Sequence, residues 1–476
     1  MIWSPHPVEH PERRKMTIVP NSLQARDIAY HVHPYTDLRA HEQQGPLVIT
    51  GGEGIYVHDD DGRQYIEGLA GLWCTSLGFS EKRLAEAARA QMEAMPYTHT
   101  FAHRSSEPVI ELADKLLSIT PPSLKKAFFV NSGSEAIDTA IKLIWYYNNA
   151  RGKPEKKRII ARRRAYHGIT SMAGHLTGLP YARAGFDLPA SDRFFHVTTP
   201  SHYRDGREGE SEDAFADRLA QEIETLILAL GPDTVAAFFA EPVQGAGGVI
   251  VPPESYFPKV QKVLKKYDVL MVADEVICGF CRTGNMFGSD TFSIEPDLMT
   301  VAKQLSSAYL PIAGLLMREE FYDVLADQSA KLGVLGMGYT YGGHPVSAAV
   351  ARRTLEIYEE DGILEHVRAV APRFRAGLDR LADHPLVGEA RGVGLIGGIE
   401  IVRDRKSREQ YPAATKAAAI IARNCVANGL ILRPLPGDAI GICPPLVIKA
   451  EEVDELFDRL WKGLEASVPA IREASS

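Results

Sequence analysis

Leu298-Met299-Thr300-Val301-Ala302-Lys303-Gln304 is the stretch whose reading decides the fold. Its first five residues form an apolar run with Val and Thr, which predicts a buried strand. Lys303 stands where that strand opens into the polar, small-residue stretch Gln304-Leu305-Ser306-Ser307-Ala308-Tyr309. An amine so placed is poorly solvated; burial lowers its pKa, and a neutral amine can attack a carbonyl. A lysine by itself is far more often a solvated surface group. The weight comes from a second run upstream, Val269-Leu270-Met271-Val272-Ala273, which ends on Asp274. Two buried strands ending side by side at one edge of a parallel sheet form the usual ligand crevice of an α/β fold.

An aspartate and a lysine at two such strand ends are the pair that a pyridoxal phosphate site needs. The lysine holds the cofactor covalently as a Schiff base, and the carboxylate keeps its pyridine nitrogen protonated. A third stretch supplies a candidate phosphate cradle. Phe128-Phe129-Val130 is followed by Asn131-Ser132-Gly133-Ser134-Glu135 and then by a helical pattern through Trp145. Gly133 lets backbone approach an anion, and the Ser134 hydroxyl and the first helical N–H groups can bind phosphate oxygens. Read alone, the same residues also describe an ordinary strand–turn–helix joint capped by serine.

Asn131-Ser-Gly-Ser-Glu-Ala, Tyr166-His-Gly, Glu241-Pro-Val-Gln-Gly-Ala-Gly-Gly, Ala273-Asp-Glu-Val-Ile, Ala302-Lys303 and Thr340-Tyr-Gly-Gly-His-Pro occur in that order. Together they resemble the class III aminotransferases of pyridoxal phosphate fold type I, from about Glu42 to about Lys449. The resemblance implies an α/β fold: a large domain with a mostly parallel central sheet, and a smaller α+β domain built from both chain ends. It implies pyridoxal 5′-phosphate covalent to Lys303, with Lys303 and Asp274 catalytic. Cofactor contacts are then expected from Ser132, Gly133 and Ser134, and from Tyr166 and Val276 on the two pyridine faces. Further contacts are expected from His167, Glu241 and, across a dimer interface, Thr340. Trp73, Phe101, Tyr166 and Arg433 are expected at the substrate, with Phe101 reaching a partner's pocket and Arg433 binding the acceptor's carboxylate.

The chain departs from the family pattern in several places. Ala102 replaces a second aromatic, Cys281 a glycine, and Ile137 an asparagine. Gln304 stands where glycine or alanine is usual, and the loop after Arg433 is one residue longer. Ala246 stands where users of 2-oxoglutarate often carry glutamate, which favours the pyruvate-using branch of amine and ω-amino-acid transaminases. An isomerase of the same fold, an aminomutase or racemase, and a 2-oxoglutarate-dependent aminotransferase are the competing enzyme readings.

A charged fraction of 24% with 45% hydrophobic residues suits a soluble globular chain of 476 residues. The net charge of −8 argues against nucleic acid. The basic run Arg151 to Arg164, with Ile159-Ile160 embedded, reads as a solvated helix–strand joint. No apolar stretch approaches a membrane span, and Met1 to Pro20 has no apolar core, so the default location is cytoplasmic. The five cysteines are scattered. Cys278-Gly-Phe-Cys281 has C-x-x-C spacing but no redox context or second ligand pair, and reads as two packed thiols. His31, His33 and His41 have no cysteine or carboxylate ligand evident nearby. They read as solvated histidines, and no metal is expected.

The expected domains are a mobile lead-in over 1–22, the first part of a small domain over 23–70, a large domain over 71–335 and the rest of the small domain over 336–476. Short strands are expected around 55–57 and 64–66, helices over 82–95, 215–230, 344–360 and 416–428, and a strand at Leu430-Ile431-Leu432 ending at Arg433. Pro200 to Glu212 reads as an exposed insertion. A homodimer with shared active sites is expected, with a tetramer open, and the substrates are a small amine and a keto acid.

Overall fold

The computed structural model describes residues 19–475. The expected lead-in over 1–22 therefore falls, through residue 18, outside the described residues. The chain divides into two units, Met1–Gly52 with Val57–Gln64, and Glu53–Tyr56 with Tyr65–Ser476. Among the described residues no helix is long and apolar enough to cross a membrane.

The first unit carries two short helices, α1 (Leu23–Tyr30) and α2 (Leu38–Gln44). Ser22 and Asp37 cap them, accepting from Ala25 N–H and Ala40 N–H at 3.1 Å each. Neither helix buries a residue. The expectation of solvated histidines holds here only for His31, whose side chain is 62% exposed. His33 Nε2 and His41 Nε2 both lie on Asp27 Oδ2, at 2.7 and 3.0 Å. The carboxylate was hidden in the helical repeat: Asp27 sits one turn before His31 in space, while His33 and His41 reach it from beyond the helix end.

The second unit is built on a seven-stranded sheet. In chain order its strands are β1 (Leu124–Val130), β2 (Arg158–Arg162), β3 (Phe194–Val197), β4 (Val235–Ala240), β5 (Leu270–Asp274), β6 (Leu298–Val301) and β7 (Ala313–Arg318). In space the order is β1-β7-β6-β5-β4-β2-β3. β6, β5, β4, β2 and β3 run parallel, and β7 pairs antiparallel with both β6 and β1. Every residue of β4, β5 and β6 is buried. This is why these strands read as unbroken apolar runs rather than alternating ones. The helix α3 (Gly133–Ala150) follows β1 directly and packs Ile137, Ile141 and Ile144 into the core beneath the sheet.

A second sheet comprises β8 (Val387–Val393), β9 (Ile396–Ile401), β10 (Arg433–Leu435) and β11 (Ala439–Ile442), in the order β8-β9-β11-β10, all antiparallel. Leu430–Ile431 pairs instead with Ile66 and Glu67. Arg433 thus opens β10; it does not end the preceding strand as expected. Cys278 and Cys281 are buried free thiols, and burial pushes both up, Cys281 to about 12, as suits packing rather than chemistry. The expected insertion at 200–212 folds as a helical turn, His202–Asp205, after a buried Ser201.

The helix α4 (Ile363–Leu381) packs on β8 and β9 of the second sheet, and α5 (Ala450–Ala474) meets α4 through Phe374 and Phe457, whose rings cross edge to face at 5.3 Å. Gly377 lies under that contact, and a Cβ there would fall on the Phe457 ring. Replacing glycine by alanine inside a helix normally stabilises by about 1 kcal/mol. Here overpacking, typically about 1–3 kcal/mol, acts the other way. Gly377→Ala is expected to destabilise by about 1–2 kcal/mol in denaturant titrations. A stabilised variant would show that the two helices are not in close contact at this point.

Candidate active site

Parallel pairing sends the ends of β2, β4, β5 and β6 to one edge of the sheet. Ala240 pairs with Ala273, and Asp274 with Thr300. The residues that follow, Tyr166 and His167, Glu241, Asp274 and Lys303, are thereby collected from four separate stretches of sequence.

Asp274 is 3% exposed. Its Oδ2 meets His167 Nδ1 at 2.7 Å, and its Oδ1 accepts from Thr300 Oγ1 at 3.1 Å and from Val276 N–H at 3.2 Å. A carboxylate has about four lone-pair sites, so one remains for a further donor. Glu241, also 3% exposed, accepts from the N–H groups of Tyr166 and Gly245 at 3.0 Å each. It ties the turn after β2 to the turn after β4. Burial pushes its carboxyl above the usual range, and the neighbouring His167 opposes the shift.

Lys303 has φ +49°, a left-handed conformation that costs a non-glycine residue roughly 1–2 kcal/mol. Burial holds its amine below the usual lysine value, against the opposing pull of Cys74, Asp274 and Glu241. Arg433 pushes the same way as burial, so its charge is close enough to be felt at Lys303. Among the described residues no carboxylate pairs with Arg433.

At the start of α3, Ser132 caps the helix, accepting from Glu135 N–H at 3.2 Å. Ser134 Oγ accepts from Ile169 N–H at 3.2 Å. Each hydroxyl uses an acceptor site in these bonds and keeps its O–H to donate. The first N–H groups of the helix have no intrahelical partner. Gly133 has a second, packing role the sequence did not show: a Cβ there would stand 3.2 Å from both Val276 methyl groups, which would have to shift to admit it. The donor set therefore fits pyridoxal phosphate at both ends. Hydroxyl and backbone donors at the start of α3 could hold a phosphate, the buried Asp274 carboxylate has the acceptor a protonated pyridine nitrogen needs, and Lys303 has the amine an imine requires.

The remaining expected residues divide. Trp73 is 2% exposed, with φ +64°, and its indole packs against Gly441, where a Cβ would come within 2.8 Å. Phe101 is 46% exposed and Thr340 is also on the surface. These two belong to segments that meet each other: Tyr97 OH donates to Thr340 C=O at 2.7 Å, and a Cβ on Gly338 would lie 2.6 Å from the Phe101 ring.

Two contributors were missed. Thr300 is the single polar residue in the run before Lys303, and that isolation was the available signal. Gln304, noted only as a departure from the family pattern, is a buried clamp. Its Nε2 donates to the carbonyls of Ile277 (2.6 Å) and Gly279 (3.0 Å), and its Oε1 accepts from Arg282 Nε at 3.3 Å. Its own carbonyl accepts from Tyr358 OH at 2.6 Å.

A model of the family described as Aminotransferase class-III matches residues 38–464. The chain is 46% identical over 466 residues to gamma aminobutyrate transaminase 3, chloroplastic, of Solanum lycopersicum, spanning 97% of this chain and 89% of that protein. It is 49% identical over 432 residues to gamma-aminobutyrate transaminase 1, mitochondrial, of Oryza sativa subsp. indica, spanning 90% and 83%. Among solved structures, the omega transaminase from Pseudomonas jessenii in complex with PMP superposes with a TM-score of 0.93 at 51% identity, over 95% of this chain and 99% of that one.

Gln304→Ala would leave two buried carbonyls and one guanidinium nitrogen without their partner. Each orphaned group costs about 1–3 kcal/mol, partly recovered by water. The variant is expected to lose about 2–4 kcal/mol of stability. A thermal or denaturant transition within about 0.5 kcal/mol of wild type would show that the amide does not clamp the turn.

Proposed function

Since the chain belongs to the class III aminotransferases, which use pyridoxal phosphate to pass an amino group from an amine to a keto acid, we propose that it is an ω-transaminase. In this reading its donor is an amine on a terminal carbon, of the γ-aminobutyrate kind, and its acceptor is pyruvate. The observation that carries the proposal is Arg433. Its guanidinium acts on Lys303, has no carboxylate partner among the described residues, and is free to clamp a substrate carboxylate in two-pronged fashion. Ala246, buried in the turn after β4, offers no charge to neutralise that arginine. An arginine left charged suits a small keto acid such as pyruvate and an ω-amino acid donor alike. The names of the plant relatives and of the Pseudomonas jessenii structure support the same donor class.

Bound pyridoxal phosphate supplies the electron sink that no side chain here provides. The chain's own residues then have separate tasks. Lys303 would hold the cofactor, and its Nζ, when free, would be the base that takes the proton from the amine-bearing carbon and the acid that returns one. The lowered pKa of this amine keeps a larger share of it neutral, as a base must be. Asp274 holds a proton at the pyridine nitrogen, and His167 and Thr300 keep its carboxylate aimed. Ser132, Gly133 and Ser134 would hold the phosphate. Tyr166, whose N–H is held by Glu241, and Val276 would flank the ring. Trp73 backs the substrate pocket from the core. Phe101 and Thr340 lie on exposed segments that brace each other, and in the proposed homodimer they complete the neighbour's site.

Two half-reactions followed through the visible band of the bound cofactor test this reading. Adding γ-aminobutyrate should bleach the band, and pyruvate should restore it. Restoration by 2-oxoglutarate alone would refute the Ala246 argument, and bleaching by no terminal amine would refute the donor class. Lys303→Ala should lower turnover by at least about 10⁴-fold; turnover near wild type would remove the lysine from the chemistry. Arg433→Ala should raise the KM for pyruvate and γ-aminobutyrate at least tenfold while sparing amines without a carboxylate. Equal losses for both kinds of donor would count against the clamp.

A further inference from the structure

The first unit contains a cluster that transamination does not use. Asp27 Oδ2, His33 Nε2 and His41 Nε2 lie within 4.8 Å of one another. Both imidazoles converge on the same carboxylate oxygen, at 2.7 and 3.0 Å, and their rings stand only 4.0 Å apart. His31 Nδ1 lies 3.3 Å from the other oxygen, Oδ1, and fixes the carboxylate from behind. The three convergent side chains are neither sealed nor loose, with exposures of 21% for Asp27, 25% for His33 and 10% for His41.

We propose that Asp27, His33 and His41 form a binding site for a divalent cation of the zinc class, which ties α1 to α2. Two imidazole nitrogens and one carboxylate oxygen are a donor set that zinc accepts, with water as the fourth ligand. Tetrahedral zinc at about 2.0–2.1 Å from each donor sets the donors about 3.3 Å apart. The two oxygen–nitrogen separations need to open by about 0.6 and 0.3 Å, within the reach of side-chain rotation. No net proton is lost if each ring moves its proton from Nε2 to Nδ1, which leaves the Nε2 lone pair for the metal. His31 then acts on the carboxylate and not on the ion, the arrangement by which outer groups orient metal ligands.

The segment gives such a staple something to do. The ligands come from α1, from the connection and from α2, and neither helix buries a side chain. Short elements without a core of their own are the ones that metals commonly hold together.

The test uses tag-free holoenzyme with zinc, and Co2+ as its spectroscopic substitute. After equilibrium dialysis and removal of weakly held ion, elemental analysis should find one zinc per chain in wild type and in His31→Gln. Asp27→Asn and His41→Gln should each lose that ion or bind it at least tenfold more weakly. Zinc should also slow tryptic cleavage after Arg39, which lies within α2, in wild type but not in those two variants. Tetrahedral d–d absorption on substitution with Co2+ would identify the geometry in support. Absence of zinc from wild type overturns the proposal. So does equal binding by Asp27→Asn and His41→Gln, because the ion would then sit elsewhere. Cleavage after Arg39 at the same rate with and without zinc overturns the tie between the helices.

Discussion

A carboxylate with 3% of its surface exposed is costly to keep ionised unless it is paired and fully hydrogen-bonded. Asp274 meets that requirement with His167, Thr300 and Val276, which come from the segment after β2, from β6 and from the segment just after β5. Satisfying one carboxylate therefore fixes three chain segments at the same edge of the sheet. The register of β5 against β6 is part of this, since Asp274 faces Thr300 across the pair. A slip of one residue would carry Thr300 to the opposite face and leave Oδ1 short of a donor. The electrostatics of the site and the pairing of the sheet constrain each other.

The same logic extends to the turn that carries Lys303. Lys303, Ser307 and Ala308 all have positive φ, at 49°, 48° and 62°, so the turn is strained along much of its length. Strain of this kind persists only where surrounding contacts over-determine it. Gln304 grips the 277–282 segment, Tyr358 OH holds the Gln304 carbonyl, and Ser307 Oγ accepts from Leu77 N–H at 2.9 Å. Where the family pattern leads one to expect a small residue after the lysine, this chain places an amide that reaches three groups. The residue that looks like a departure in sequence is a support in the fold.

What the sequence showed, and what it withheld, follows from the range of the interactions. Strands buried on both faces announce themselves as apolar runs, so β4, β5 and β6 and the residues at their ends were legible, as was the serine-capped start of α3. Pairings between distant side chains carry no period. Asp27 with His41, Gln304 with Ile277, and the indole of Trp73 against Gly441 depend on how the chain returns on itself. Arg433 was misplaced for a related reason. Leu430–Ile431 and β10 belong to two different sheets, so the apolar run that seemed to end at Arg433 is the seam between them, and the arginine begins the second.

Phe101 and Thr340, the residues proposed to complete a neighbour's site, stand apart from the buried edge. Their segments are exposed, yet they are ordered by each other: Tyr97 OH holds the Thr340 carbonyl, and Gly338 makes room for the Phe101 ring. Exposed aromatic residues at Tyr97, Phe101 and Tyr341 present a surface that water does not favour. A surface assembled within one chain before association loses little conformational freedom when it docks, so more of its apolar contact remains as binding energy. In a homodimer built this way, the groups that complete a neighbour's pocket are positioned by their own chain. In the proposed homodimer, the precision of a shared site would rest on the contact between the 97–103 and 336–343 segments as much as on the interface itself.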